Sequence, residues 1–249
     1  MDIANKLEDF DNHRLSELVI NMFHQIMVHH TIYFLEVEHQ FGMPAALEIM
    51  EKAFPKSYKA QMKRLGKTLG IELEDAIPKV LLDMPQEQLL ALIKALGANW
   101  LAGDGIWFQS IEQQYSVLDA QRCAGGAVGK FCTFEANSIK KFLGLPDLAG
   151  LEGLKQALKF RLYHQVNVQS IIDESPNSIV FYMNECIVQT TRKRKGLDDY
   201  PCKSTGVMEY RSFAAAIDHR IVTECVGCPP DCHPEEWYCA WRFSIPTHE

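Results

Sequence analysis

Apolar residues recur at helical spacing from Asn12 to Phe41, and this periodicity predicts one long amphipathic helix. The helix is expected to end at Gly42-Met43-Pro44, because glycine and proline break helices. A second helix is predicted from Pro44 to Leu69, kinked or interrupted at Pro55 and closed by Gly70. The first 70 residues therefore have the pattern of a helical hairpin.

The same pattern returns 74 residues later without a gap. Tyr33-Phe34 then corresponds to Trp107-Phe108, and Leu69-Gly70 to Leu143-Gly144. The ungapped register favours an internal duplication, although two unrelated amphipathic hairpins would also share such a pattern. Two hairpins bury their apolar faces most simply as a four-helix array, so residues 1–148 are predicted to form a duplicated helical-hairpin bundle.

Four polar residues fall on the apolar faces of these predicted helices. In helical projection His30 lies in the middle of the first face, and its counterpart Asp104 lies in the middle of the second. Glu38 and Glu112 lie at the edges of the same faces, about two turns further on. One interpretation is a buried His30–Asp104 pair that satisfies its own hydrogen bonds. The other is a ligand pocket lined by all four residues, which could also hold a metal.

The period of the apolar positions changes to two beyond a connecting helix that is predicted from Leu151 to about Tyr163. A basic run, Arg192 to Lys195, is expected to be a solvated strand end, with anion binding as the alternative. We predict a first hairpin formed by residues 166–168 and 179–188, followed by a covering helix over residues 203–217. A second hairpin is predicted from residues 221–227 and 237–245. Residues 149–249 should thus form an antiparallel sheet with helix cover, and the fold class is α+β.

Composition narrows the class of protein. The chain has 249 residues, 47% of them hydrophobic, which suits a folded globular protein. Its formal net charge of -7 disfavours nucleic acid as a partner, because nucleic-acid binders usually carry a basic surface. The N-terminus has no signal-peptide pattern and no stretch reaches the roughly 18 uninterrupted apolar residues that a membrane span needs, so we expect a cytoplasmic protein without a membrane partner.

Eight cysteines in a reducing compartment suggest metal ligands, catalytic thiols or buried small residues before disulfides. Cys225 and Cys228 form a Cys-x-x-Cys half-site, and strand parity places Cys239 on the apolar face of the last strand. Cys202 and Cys186 are brought to the same sheet by the predicted topology. These five thiols predict a metal site, with zinc as the expected metal and an iron–sulfur cluster as an alternative. A set of metal-free thiols also fits.

Several stretches resemble an uncharacterised family of prokaryotic cytosolic proteins. They are KRKGLDDYPCK from Lys193, CVGCPPDCHPEEWYCAWRF ending at Phe243, and the helical segments HHTIYFLEVEHQFG and GDGIWFQSIEQQY. More distantly, the C-terminal part is similar to the 2-aminothiazoline-4-carboxylate hydrolase-like family and to the 4-vinyl-reductase-type small-molecule-binding domain. That similarity implies roles for Cys186, Cys202 and Cys239, the last within a Cys-x-Trp-x-Phe ending.

Three functions follow from these patterns. The first is a small-molecule-binding protein with a cysteine-ligated metal, whose partners are a small organic molecule and a second copy of the chain. The second is a hydrolase of a small heterocyclic or amide substrate, using a cysteine thiolate or a metal-bound water. The third is a scaffold protein with a purely structural metal.

Overall fold

The computed structural model describes residues 6–196 and 198–246, and within these ranges the chain folds into eight α-helices and six strands. The helices are α1 (Asn12–Phe41), α2 (Met43–Leu69), α3 (Lys79–Leu82), α4 (Gln86–Gln114), α5 (Val117–Leu143), α6 (Gly150–Leu158), α7 (Ile187–Arg194) and α8 (Lys203–Ile217). The strands are β1 (Leu73–Glu74), β2 (Ile77–Pro78), β3 (Val168–Ser175), β4 (Ser178–Glu185), β5 (Val222–Gly227) and β6 (Cys239–Ser244). The predicted α+β class is confirmed.

The helix pairs α1–α2 and α4–α5 follow one plan. α1 and α4 begin 74 residues apart, and α2 and α5 each have 27 residues. Gly70 and Gly144 end the second helix of each pair in the left-handed conformation, with φ of 70° and 66°, which glycine adopts without strain. Ala46 and Ala120, also 74 positions apart, are both fully buried. These matches support the duplication. α2 is not interrupted at Pro55, which lies inside the helix.

The described chain divides into two compact units, one up to Asp83 and one from Met84 onward. The first unit contains α1, α2, the short β1–β2 hairpin and α3. The second contains α4 and α5 together with the sheet, because α5 packs against α8 and contributes Cys132 and Ala136 to the core. The domain boundary predicted after residue 148, where the apolar period changes, stays a prediction. Within the second unit, packing joins the second helix pair to α8.

The four-stranded sheet of the second unit is antiparallel, in the order β3-β4-β6-β5. Phe181 pairs with Trp241 and Ile179 with Phe243, so the inward residues of the two central strands form a continuous apolar layer. α8 lies on this layer. A Cβ atom at Gly206 would lie 2.7 Å from the Trp241 ring, so only glycine allows α8 to approach this closely.

Two predicted elements of the second unit are corrected by the structure. The connecting helix α6 ends at Leu158, about five residues earlier than predicted. The strand predicted over residues 179–188 ends at Glu185, and the basic run, predicted to be a solvated strand end, lies in and after α7 instead. Arg192 to Arg194 form the last turn of α7, where cations interact favourably with the carbonyl end of a helix.

One helix among the described residues, α4, is long and apolar enough to cross a membrane by length and composition. Core helices of soluble proteins pass the same test. The expectation that the chain has no membrane partner therefore stays a prediction.

Asp218 joins the end of α8 to the start of α6. Its buried carboxylate accepts a hydrogen bond from the Gly150 backbone N–H at 2.9 Å and a two-pronged bond from the Arg220 guanidinium at 2.7 and 3.0 Å. These hydrogen bonds, with that of Arg220 the strongest, lower the pKa of Asp218 from 3.8 to about 2. The ionised form of the Asp218 carboxylate is thus more stable in the folded protein than in the unfolded chain.

We expect Asp218→Asn to lower the free energy of unfolding at pH 7 by about 2 kcal/mol, the equivalent of the difference in pKa. Because the folded pKa is depressed, this contribution is present above pH 3.8 and is lost as the pH falls towards 2. Urea unfolding of the wild type and of Asp218→Asn between pH 7 and pH 3 should show that the difference in their free energies of unfolding decreases towards pH 3. Asp147→Asn, at a fully exposed carboxylate, is the control and should show no such gap. A gap for Asp218→Asn that stays constant with pH would contradict the prediction.

Candidate functional site

Three cysteines from separate segments meet at the N-terminal end of α8, and we call Cys202, Cys228 and Cys239 the thiol triad. Cys202 is the N-cap residue of α8, Cys228 follows β5, and Cys239 is the first residue of β6. The Sγ atoms of Cys202 and Cys228 are 3.5 Å apart, and the Cys228 thiol also hydrogen-bonds with Cys239. Cys228 and Cys239 are buried. The triad thus brings together positions up to 37 residues apart in the chain.

A buried glutamine positions the first member of the triad. The Gln189 side chain bonds both ways with the backbone of Tyr200, donating to its carbonyl oxygen at 2.9 Å and accepting from its N–H at 2.8 Å. The same Nε2 atom lies 3.6 Å from the Cys202 sulfur. Gln189 is 1% exposed, so it fixes the loop before α8 from within the protein.

The segment after β5 is tied to the start of α8 by both backbone and side chain. The Lys203 N–H donates to the Pro229 carbonyl at 2.9 Å, and the Lys203 ammonium pairs with Asp231 at 2.7 Å. The Asp231 N–H in turn donates to the Cys228 carbonyl at 2.9 Å. These bonds hold Cys228 against the helix N-terminus, where Cys202 lies.

The thiols of Cys202 and Cys228 have pKa values that are shifted in opposite directions. The hydrogen bond from the Cys228 thiol lowers the pKa of Cys202, while the contacts with Cys202 and Cys239, followed by burial, raise the pKa of Cys228. Of these two thiols, that of Cys202 is therefore the more acidic. A helix N-terminus stabilises a thiolate further, because its free N–H groups carry partial positive charge. Such a thiolate is suited to bind a soft metal or to act as a nucleophile.

The remaining predicted ligands lie beside the triad. Cys186, the N-cap residue of α7, has its pKa raised to about 12, mainly by burial, and the charges of Cys239 and Cys202 also influence it. Cys225 is half-buried in β5, and burial likewise raises its pKa. The predicted Cys225–Cys228 half-site stays a prediction, and the Cys228 sulfur contacts that of Cys202 at 3.5 Å.

The geometry does not include a preformed metal centre. Over residues 6–196 and 198–246, no three His, Cys, Asp or Glu side chains are placed so that they could hold a metal ion. The cysteines outside the neighbourhood of the triad differ in setting: Cys123 and Cys232 are exposed, and Cys132 is buried. Zinc ligation by the predicted set of cysteines stays a prediction.

A buried ionic network lies further along α8, around the fully buried Arg161 side chain. The guanidinium bonds with Glu135 at 2.9 Å, with Glu209 at 2.7 Å and with the Cys132 sulfur at 3.1 Å. The Tyr163 hydroxyl donates to Glu209 at 2.7 Å and also contacts Arg161. Burial acts to lower the pKa of Arg161, but the surrounding Tyr163, Glu135 and Glu209 raise it well above its usual value. The guanidinium therefore stays charged inside the protein.

Glu209 connects this network with the thiol triad and with α4. It lies two turns after Cys202 on α8, and its negative charge acts to raise the pKa of the Cys202 thiol. The pKa of Asp104 on α4 is also raised, first by partial desolvation and then by the charge of Glu209. Phe108 of α4 meets Tyr200 edge to face at 4.9 Å. Carboxylates and aromatic rings thus border the side of the triad that α4 approaches.

The four residues of the predicted ligand pocket are divided between the two units. His30 is exposed and Glu38 half-buried on α1, in the first unit. Asp104 and Glu112 are exposed on α4, in the second unit. A shared pocket and a His30–Asp104 pair stay predictions. In the second unit, Asp104 has Glu209 as a neighbour, which the sequence analysis did not anticipate.

Comparison with known proteins adds the family. A model described as a family of unknown function (DUF6125) matches residues 82–245, which is most of the chain. The chain belongs to this family. Membership confirms the resemblance to an uncharacterised family, and the two more distant resemblances stay predictions. No curated protein matched in a second comparison, and no solved structure matched in a third. The matched region begins just before α4 and includes every residue of the thiol triad and of the Arg161 network.

Proposed function

We propose that this member of DUF6125 binds zinc through the thiol triad, and that the fourth position on the metal accepts a small organic molecule. The observation that carries the proposal is the 3.5 Å distance between the Cys202 and Cys228 sulfurs, together with the hydrogen bond between Cys228 and Cys239. Zinc–sulfur bonds of about 2.3 Å in a tetrahedron separate the sulfurs by about 3.8 Å. The observed spacing is close to that edge length.

Metal binding would replace the thiol hydrogen bonds within the triad by metal–sulfur bonds. Zinc then replaces the protons that these hydrogen bonds use, and protons are released on binding. Cys202 starts with a lowered pKa, so its proton is the first to leave.

Three protein ligands with an open fourth position are typical of zinc sites that bind or activate a ligand, whereas four protein ligands are typical of structural sites. The number of cysteines on the metal therefore distinguishes a small-molecule site from a scaffold with a structural metal. Tyr200 packs edge to face against Phe108 of α4, and the charge of Glu209 acts on both Cys202 and Asp104, so Tyr200, Glu209 and Asp104 are the candidates to surround the open position.

The test is metal analysis of protein purified under reducing conditions, followed by cobalt substitution of the chelator-treated protein. We expect about one equivalent of zinc per chain, and at least a 100-fold loss of affinity for Cys228→Ser, because a serine hydroxyl is a poor ligand for zinc. Cys232→Ser, at an exposed cysteine only four residues away, is the matched control and should bind normally. A wild-type protein that binds neither zinc nor cobalt would disprove the proposal.

Cys186→Ser separates the two kinds of site. If the triad alone holds the metal, this variant keeps its affinity, and added imidazole shifts the visible bands of the cobalt protein by occupying the fourth position. If Cys186→Ser loses the metal and imidazole leaves the wild-type spectrum unchanged, the site is closed and structural, and the small-molecule half of the proposal is wrong.

A further inference from the structure

The middle of α1 presents an apolar face that its own unit leaves uncovered. Eleven large apolar residues of α1 are exposed, and eight of them fall on one side when projected down the helix. We call them the α1 face: Val19, Ile20, Met22, Phe23, Ile26, Met27, Tyr33 and Phe41. Met27 and Tyr33 are each 63% exposed. Single exposed apolar residues are ordinary, but a continuous stripe marks an interaction surface.

The first unit has almost no core of its own. None of the residues of α1 is buried, and the buried residues of α2 are Ala46 and Gly66. Half-buried residues of α1 cluster near its two ends, at Leu15 and Leu18 and at Phe34 and Val37. A hairpin of two helices can cover only one side of each helix, and most helical stability comes from packing an amphipathic face. The unit therefore needs a cover along α1.

The area of the α1 face is what a specific dimer requires. A large apolar side chain that is about half exposed offers roughly 100 Å², so eight provide on the order of 800 Å². A standard protein interface buries about 800 Å² on each partner. One copy of the face on each side therefore suffices for a stable interface without further contacts.

The charge pattern of α1 suits a second copy of the same chain. Residues 18–35 contain no Asp, Glu, Lys or Arg, so two such faces can meet without like charges coming together. A helix that lies on a membrane surface usually carries Lys or Arg along its polar side, whereas Arg14 is the only basic residue of α1 apart from its histidines. α1 is also not apolar enough to qualify as a membrane span.

We propose that the chain forms a homodimer in which the α1 faces of two copies pack across a two-fold axis. The two α1–α2 hairpins then make a four-helix bundle between the copies, the usual way for such hairpins to bury their apolar stripes. This interface lies outside the matched DUF6125 region, which begins at residue 82. It is independent of metal binding at the thiol triad.

Sedimentation analysis of the full-length chain tests the dimer. We expect a mass of twice 28.4 kDa at micromolar concentration, and a shift to the 28.4 kDa monomer for the double variant Phe23→Glu with Ile26→Glu. The apparent dissociation constant should rise at least 100-fold, because four carboxylates would be buried in the interface. Gln25→Glu places one carboxylate on the opposite side of α1 and is the control, which should stay dimeric.

Photo-crosslinking covers the case in which the double variant does not fold. p-Benzoylphenylalanine at position 23 preserves an aromatic side chain and should yield a covalent dimer on irradiation, while the same group at position 25 should not. A wild-type chain that sediments as a monomer at every concentration tested would refute the dimer. Retention of the dimer by the folded double variant would equally refute the α1 face as its interface, and so would flotation of the monomer with phosphatidylcholine vesicles.

Discussion

Replacement of Arg161 by methionine is expected to lower the free energy of unfolding by about 3–5 kcal/mol, the range found when one partner of a buried ion pair is removed. The side chain of Arg161 is fully buried, and that of Glu135 is 6% exposed. Without the guanidinium, the Glu135 carboxylate loses its counterion and keeps the hydrogen bond from the Leu162 N–H at 2.9 Å. The loss arises because a charge then remains inside the protein without its counterion.

Urea unfolding followed by tryptophan fluorescence measures the free energy of unfolding of the second unit, which contains the Arg161 network. All four tryptophans, at positions 100, 107, 237 and 241, belong to the second unit, where the network lies. The double variant Arg161→Met with Glu135→Gln should be more stable than Arg161→Met alone, because it removes the stranded charge. If the second substitution adds further destabilisation instead, the loss in Arg161→Met comes from packing against Tyr163 and Phe213.

The Arg161 network could not be predicted from the sequence. Arg161 follows α6, Glu135 lies on α5 and Glu209 on α8, so the three charges are brought together only by tertiary packing. Nothing in the local sequence around Arg161 marks it as buried, since an arginine beside aromatic residues is as common at a surface. Gln189 escaped notice for the same reason. Its role depends on Tyr200, eleven residues later in the chain, whose backbone folds back onto it.

The elements that sequence predicts well are those with a long uninterrupted period and a clear terminator. α1 runs over the predicted residues 12–41 and α8 over 203–217, whereas α7 was mistaken for a strand end. The basic run of α7 carries too few apolar residues to show a period. The thiol triad is an intermediate case. Strand parity indicates Cys239 and topology indicates Cys202, but nothing in the sequence indicates that the Cys202 and Cys228 sulfurs approach to 3.5 Å.

We expect Gly97→Ala and Gly103→Ala, two identical changes on α4, to have opposite effects on stability. A Cβ atom at Gly97 would lie 2.2 Å from the Leu162 carbonyl oxygen, a backbone atom that a rotamer change cannot move. The helix must therefore shift away from the segment that follows α6, and overpacking of this kind costs about 1–3 kcal/mol. At Gly103 the Cβ atom would meet nothing within 4 Å, so alanine should stabilise the helix by about 0.5–1 kcal/mol.

The comparison is made by urea unfolding of the two variants and the wild type, with tryptophan fluorescence as the signal. Because helix propensity favours alanine equally at both positions, the difference between the variants isolates the close approach of α4 to Leu162. That approach sets the position of α4 over the Arg161 network, since Leu162 follows Arg161 directly and donates its N–H to Glu135. A Gly97→Ala variant as stable as Gly103→Ala would mean that α4 does not pack against this segment in solution. The placement of Asp104 beside Glu209 would then lose its support.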